Sequence, residues 1–72
     1  MRFKTEAEAL AFVKQHYENN PEVEIQFKDV YVLYHNYVAK YRGVVVADFG
    51  WNFMTGRFDG DFFPLPDIPA QA

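Results

Sequence analysis

The sequence predicts an α+β fold, in which one N-terminal helix packs on a three- to five-stranded antiparallel sheet. An extended, proline-rich C-terminal tail follows the sheet. Three observations predict this class: a capped amphipathic segment near the N-terminus, alternating and β-branched or aromatic segments after it, and three of the four prolines beyond residue 63. A chain of 72 residues fits one domain, which we expect over 1–63, with the tail over 64–72.

The helix is predicted over residues 5–19. Thr5 and Glu8 have the spacing of a capping box, in which the threonine hydroxyl accepts a hydrogen bond from the Glu8 amide. Apolar residues then recur at the i, i+3, i+7 spacing of one helix face, at Leu10, Val13 and Tyr17. The segment 19–21, Asn-Asn-Pro, ends the helix because proline cannot continue it.

The first strand is predicted over residues 22–28, where charged or polar and apolar residues alternate strictly. The pair at 28–29, Lys-Asp, is interpreted as a tight turn. Residues 30–41 fit two structures. Their apolar residues have helical spacing, but seven of the twelve are Val or Tyr, which favour strands. We favour strand, with His35 and Asn36 either in a hairpin turn or in the middle of one long bent strand.

The remaining elements are a central strand over 43–49, apolar on both faces, and a last hairpin. The turn of that hairpin is predicted at 54–57, where Gly56 can supply a positive φ. The Asp59-Gly60-Asp61 segment is a further turn or a strand end. The tail should be extended, close to polyproline II, and frayed at 70–72.

Composition and charge exclude several classes of function. The chain has no cysteine, so it has no disulfide and no thiolate metal site. Its longest apolar run is five residues, which predicts no membrane span, and no secretory signal is seen, so we expect a cytoplasmic protein. The net charge of −3 is concentrated in residues 43–72, where Arg57 faces four aspartates. Without a basic footprint, direct binding of nucleic acid is not expected.

Catalytic and metal-binding patterns are weak. The chain has no cysteine or serine nucleophile, and its two threonines are explained by a cap and a turn, so we predict no catalytic residues and no enzyme. His16 and His35 are interpreted as structural. The carboxylate oxygens of Asp59, Asp61 and Asp48 could coordinate a divalent cation. Aspartates also favour turns, however, and a turn explains the Asp-Gly-Asp pattern better. We therefore predict no metal and no cofactor.

Aromatic and acidic residues are concentrated in one stretch of the C-terminal third. The residues predicted to bind a partner are Trp51, Phe53, Phe58, Asp59 and Asp61. Tryptophan and phenylalanine make good interface anchors, and acidic residues steer a surface towards a basic partner. The other interpretation is a hairpin whose aromatic side chains fill the core and whose acids form its solvated face.

This pattern predicts a protein-interaction module that binds another protein and modulates it. One concrete version is an inhibitor of a nucleic-acid-binding enzyme with a basic surface, of the kind that mobile elements encode. The first alternative is a homodimeric structural or scaffold subunit with a tyrosine face between the copies. That face would consist of Tyr31, Tyr34, Tyr37 and Tyr41. The second alternative is a small metal- or ligand-dependent enzyme whose site forms at an interface.

Overall fold

The computed structural model describes residues 1–69, and within that range it has one helix and a four-stranded antiparallel sheet. The predicted α+β class is confirmed. The elements are α1 (Glu6–His16), β1 (Val23–Tyr31), β2 (Tyr34–Tyr41), β3 (Val44–Asn52) and β4 (Phe58–Phe62). The strands follow one another in the order β1-β2-β3-β4, so each strand pairs with its neighbour in sequence. The predicted frayed end at 70–72 lies outside the described residues.

Helix α1 begins with the predicted cap, since the Thr5 hydroxyl accepts a hydrogen bond of 3.2 Å from the Glu8 amide. It ends at His16, earlier than the predicted residue 19. The reason is that Glu18 and Asn19 both adopt the left-handed conformation, with φ of 57° and 55°. Two successive residues of this kind turn the chain out of the helix before the proline is reached.

The turn predicted at 28–29 is wrong, and of the two alternatives for 35–36 the structure has strand rather than a hairpin turn. The pair at 28–29 lies inside β1, where the pairing register with β2 shifts between Phe27 and Asp29, which makes Lys28 a bulge rather than a turn. The pair at 35–36 lies inside β2, and the hairpin turn falls instead at 32–33. Residues 30–41 are therefore strand on both sides of that turn, as we favoured. The observed register pairs Val23, Ile25 and Phe27 of β1 with Tyr41, Ala39 and Tyr37 of β2, which places these six side chains on one side of the sheet.

The core lies between α1 and one side of the sheet, which we call the helix face. Ala9 and Val13 of α1 are fully buried against it. The sheet contributes Tyr37, Ala39, Tyr41, Val46, Ala47, Phe49, Trp51 and Phe58 to this core. Val44 and Val45 are exposed, so the start of the central strand does not bury both of its faces as its composition suggested.

The C-terminal tail is held against the sheet. It has no regular secondary structure over 63–69. The Arg42 guanidinium binds both carboxylate oxygens of Glu22, at 2.7 and 2.9 Å, and also donates to the Ile68 carbonyl. Among the described residues, no helix has the length and apolar character needed to cross a membrane.

Candidate functional site

The side of the sheet opposite α1, which we call the open face, is not covered by another element. Strand alternation and the observed register bring its side chains together from all four strands. For example, Val38 pairs with Asp48, which in turn pairs with Asp61, and Gly50 pairs with Asp59. Acidic side chains that are distant in sequence therefore share one surface.

A shallow trough of about 440 Å³ crosses the open face. Its lining side chains are Tyr31, Tyr34, Asn36, Asp48, Asp59 and Asp61. Gly50 forms its floor, because a Cβ atom there would lie 2.6 Å from Asn36 Oδ1 and 3.2 Å from Tyr34 Cδ2. The absence of a side chain at this position thus shapes the trough.

The trough is acidic, because three carboxylates line it and, among residues 1–69, two cations pair with them at its rim. Asp48 lies 3.7 Å from the Lys28 ammonium, and Asp59 lies 3.3 Å from Nε of Arg57. Both pairs are more than half exposed and therefore weak. The Tyr34 hydroxyl donates a hydrogen bond of 3.0 Å to Asp59. Asp61 forms no ion pair with any described residue.

Within residues 1–69, no group of three or more histidine, aspartate or glutamate side chains is close enough to hold a metal ion. Asp48, Asp59 and Asp61 share the trough but do not converge on one point. Each of the three carboxylates can accept hydrogen bonds from a separate cationic donor, and tyrosine rings lie beside them.

The residues predicted to bind a partner are divided between the two faces of the sheet. Asp59 and Asp61 line the trough. Trp51 and Phe58 form a cross-strand pair on the helix face and are only 8% and 7% exposed. The Trp51 indole also donates to the backbone carbonyl of residue 3, at 3.1 Å. Phe53 lies beyond the end of β3 and is 40% exposed.

The predicted tyrosine face is divided in the same way. Tyr37 and Tyr41 are buried on the helix face within a single chain. Tyr31 and Tyr34 instead line the trough on the opposite side. Sequence reasoning also missed Asn36 and the floor glycine. The signal that could have found Asn36 is the phase of the alternation along β2, which places every second residue on the open face.

A second titratable cluster lies on the helix face, at the N-terminal end of α1. The Glu6 carboxylate accepts a hydrogen bond from His35 Nδ1, and this bond lowers the pKa of Glu6. Burial, helped by the neighbouring Glu6 carboxylate, raises the pKa of Tyr37 to about 12. The His35 ring stands 4.9 Å from the ring of Phe53 and 6.4 Å from that of Trp51. These contacts join the helix to the sheet.

His16 is at the other end of the helix and packs against aromatic rings. Its ring centroid lies 4.6 Å from that of Phe62 and 4.8 Å from that of Tyr17. The Tyr17 hydroxyl lies 2.8 Å from the backbone carbonyls of Val46 and Phe63. Both histidines thus have structural contacts that account for their positions.

Comparison of the chain with protein-family models, curated protein sequences and solved structures gives no match. The functional argument therefore depends on the residues and geometry of the open face.

Proposed function

We propose that this protein is a small cytoplasmic protein-interaction domain that binds a basic surface of another protein and modulates it. The observation that carries the proposal is the acidic, tyrosine-lined trough on a sheet face that α1 leaves uncovered.

The trough suits an arginine or lysine side chain. Asp59 already accepts both a guanidinium group, from Arg57, and the Tyr34 hydroxyl. Hydrogen bonds between a guanidinium and a carboxylate are stronger than neutral ones, and a tyrosine ring attracts a cation placed over its face. A partner's arginine can therefore replace the exposed Arg57 and place its charge beside the unpaired carboxylate of Asp61.

An acidic surface of this kind suits a modulator of a protein with a basic surface. The net charge of −3 steers the domain towards cations, and carboxylates in a basic channel compete with phosphate for the same donors. We therefore keep inhibition of a nucleic-acid-binding enzyme, of the kind that mobile elements encode, as the concrete version of the proposal.

A homodimer through the open face has less support. Packing two open faces together would set the carboxylates of Asp48, Asp59 and Asp61 of one copy near those of the other, which is repulsive. Two of the four tyrosines that motivated this alternative, Tyr37 and Tyr41, are already buried within one chain.

The proposal is tested by titrating the protein with an oligo-arginine peptide and following backbone amide shifts by NMR. We expect the largest shifts around the trough and an affinity that falls with added salt. The double variant Asp59→Asn/Asp61→Asn should bind about tenfold more weakly, the effect of losing roughly 1.5 kcal/mol of charged hydrogen bonding. The control Glu8→Gln/Glu18→Gln removes the same charge from other exposed positions. Equal weakening by both double variants would contradict a specific site.

A further inference from the structure

One end of the sheet carries an exposed apolar surface formed by two neighbouring loops. The β1–β2 turn and the β3–β4 loop lie side by side, since the Phe53 amide donates to the Leu33 carbonyl at 3.0 Å. We call this surface the apolar tip. Its members are Val30, Tyr31, Val32, Leu33, Phe53 and Met54, which are between 40% and 73% exposed. Contiguous apolar surface of this kind marks interaction sites in folded proteins.

The fold itself does not require apolar residues in this turn. Val32 has φ of 54°, in the left-handed region where a β-branched residue is strained. The turn at the opposite end of β2 uses Arg42 and Gly43 at positive φ, a polar residue followed by glycine. The β2–β3 turn thus has residues that favour its conformation, whereas the β1–β2 turn has an exposed and strained valine. Strain that folding does not need points to a function at that position.

The apolar tip is continuous with the acidic trough. Tyr31 and Tyr34 are the pair that closes the β1–β2 turn, and both also line the trough. The Tyr34 hydroxyl reaches across the sheet to Asp59. Tyr34 lies on β2 and Asp59 on β4, two strand spacings away, or about 10 Å.

We propose that the partner presents a basic amphipathic segment, whose lysine or arginine side chains enter the trough while its apolar side chains cover Val32 and Leu33. This inference rests on the proposed function. Residues seven apart on a helix are separated by about 10 Å along its axis, which matches the two strand spacings between Tyr34, beside the β1–β2 turn, and Asp59. The trough that continues the tip is acidic, so charge there favours a basic peptide over anionic lipid headgroups.

The test compares two peptides with the same number of lysines, an oligo-lysine and a helical leucine–lysine peptide. Each is titrated into the full chain. The leucine–lysine peptide should bind about tenfold more tightly. The variant Val32→Gly/Leu33→Asn should remove this difference while leaving the affinity for oligo-lysine unchanged. The control variant Val44→Thr/Val45→Thr alters exposed valines at the opposite end of the sheet and should retain the difference.

Thermal unfolding checks that the tip variant is folded. Glycine relieves the positive φ of residue 32, so the variant should melt at or above the wild-type temperature. The inference is overturned if the wild type binds the two peptides with equal affinity. It is also overturned if the tip variant loses the same amount of affinity for both peptides. Either result leaves the trough proposal standing. Failure of both peptides to bind overturns both proposals.

Two further outcomes separate the remaining possibilities. If Asp59→Asn/Asp61→Asn retains full affinity for both peptides, the trough does not bind cations, and the proposed function fails together with the inference. If phosphatidylcholine vesicles bind the wild type and not Val32→Gly/Leu33→Asn, the tip is a lipid-binding surface, which also overturns the inference.

Discussion

The carboxylate of Glu6, in the first turn of α1, accepts a hydrogen bond from Nδ1 of His35 on β2. The two residues are 29 positions apart in sequence, so the bond joins the start of the helix to the sheet. It lies on the helix face, away from the trough. The Glu6–His35 hydrogen bond therefore stabilises the contact between helix and sheet and is not part of the proposed binding site.

Replacing Glu6 with glutamine should reveal how much the Glu6–His35 hydrogen bond contributes to the free energy of unfolding, because that contribution depends on pH. A lowered carboxyl pKa stabilises the fold above the unfolded-state pKa, and the contribution is lost as pH falls through the folded-state value. The wild type should therefore exceed Glu6→Gln in free energy of unfolding at neutral pH, by less than about 1 kcal/mol because the pair is one-third exposed. Urea unfolding between about pH 3 and pH 7 measures the difference. If the difference in free energy of unfolding between the wild type and Glu6→Gln persists at pH 3, the Glu6 carboxylate is not its cause.

Because the pKa of Tyr37 is raised, we expect the fold to lose stability at alkaline pH. Its pKa is raised from 10.0 to about 12, first by burial and then by the Glu6 carboxylate. The unfolded chain loses this proton first, so stability is full below about pH 10 and falls as pH rises towards 12. Two pKa units correspond to about 2–3 kcal/mol. Tyr37→Phe should flatten the decline in unfolding free energy, and an unchanged decline would show that other groups cause it.

The Tyr17 hydroxyl should stabilise the junction between α1, β3 and the tail. It is within 2.8 Å of the Val46 and Phe63 carbonyls, and it is buried. Tyr17→Phe removes the donor and leaves the Phe63 carbonyl without this partner, while the Val46 carbonyl still accepts from the Phe63 amide at 2.8 Å. We therefore expect a loss of about 1 kcal/mol in urea unfolding. Tyr41→Phe is the control, because its hydroxyl makes no hydrogen bond to the part of the chain that the structure describes. Equal losses would mean that the hydroxyl contacts of Tyr17 contribute little.

The class of fold could be predicted because local signals agree with the packing. The Thr5 cap and the alternation over 22–28 depend on short-range rules that the structure keeps. The β1–β2 turn could not be placed, because Val32 and Leu33 are not turn-forming residues and resemble strand. The polar pair at 35–36 was one alternative for a turn, but it lies within β2.

The candidate site could be predicted only in part, because sequence neighbours on a strand point to opposite faces. Phe58 and Asp59 are adjacent, yet one is in the core and the other in the trough. The bulge at Lys28 also changes which side chains of β1 reach the open face. The acidic half of the predicted surface is therefore at the trough, while Trp51 belongs to the core.

Two glycines on neighbouring strands provide a matched pair of variants that separates stability from binding. A Cβ at Gly60 would lie 2.6 Å from Phe49 Cβ and 3.3 Å from the Asp48 carbonyl oxygen. These atoms are fixed by the sheet and the core, so Gly60→Ala should destabilise the fold by about 1–3 kcal/mol in urea unfolding.

At Gly50 the nearest atom is the end of the Asn36 side chain, which can rotate away at the cost of its exposed 2.9 Å hydrogen bond to Asp29. Gly50→Ala should therefore cost less, roughly 1 kcal/mol. It raises the trough floor, however, and should weaken binding of an oligo-arginine peptide severalfold while the protein remains folded. Wild-type affinity in Gly50→Ala would show that a cation does not reach the trough floor, and would confine binding to the carboxylates at its rim.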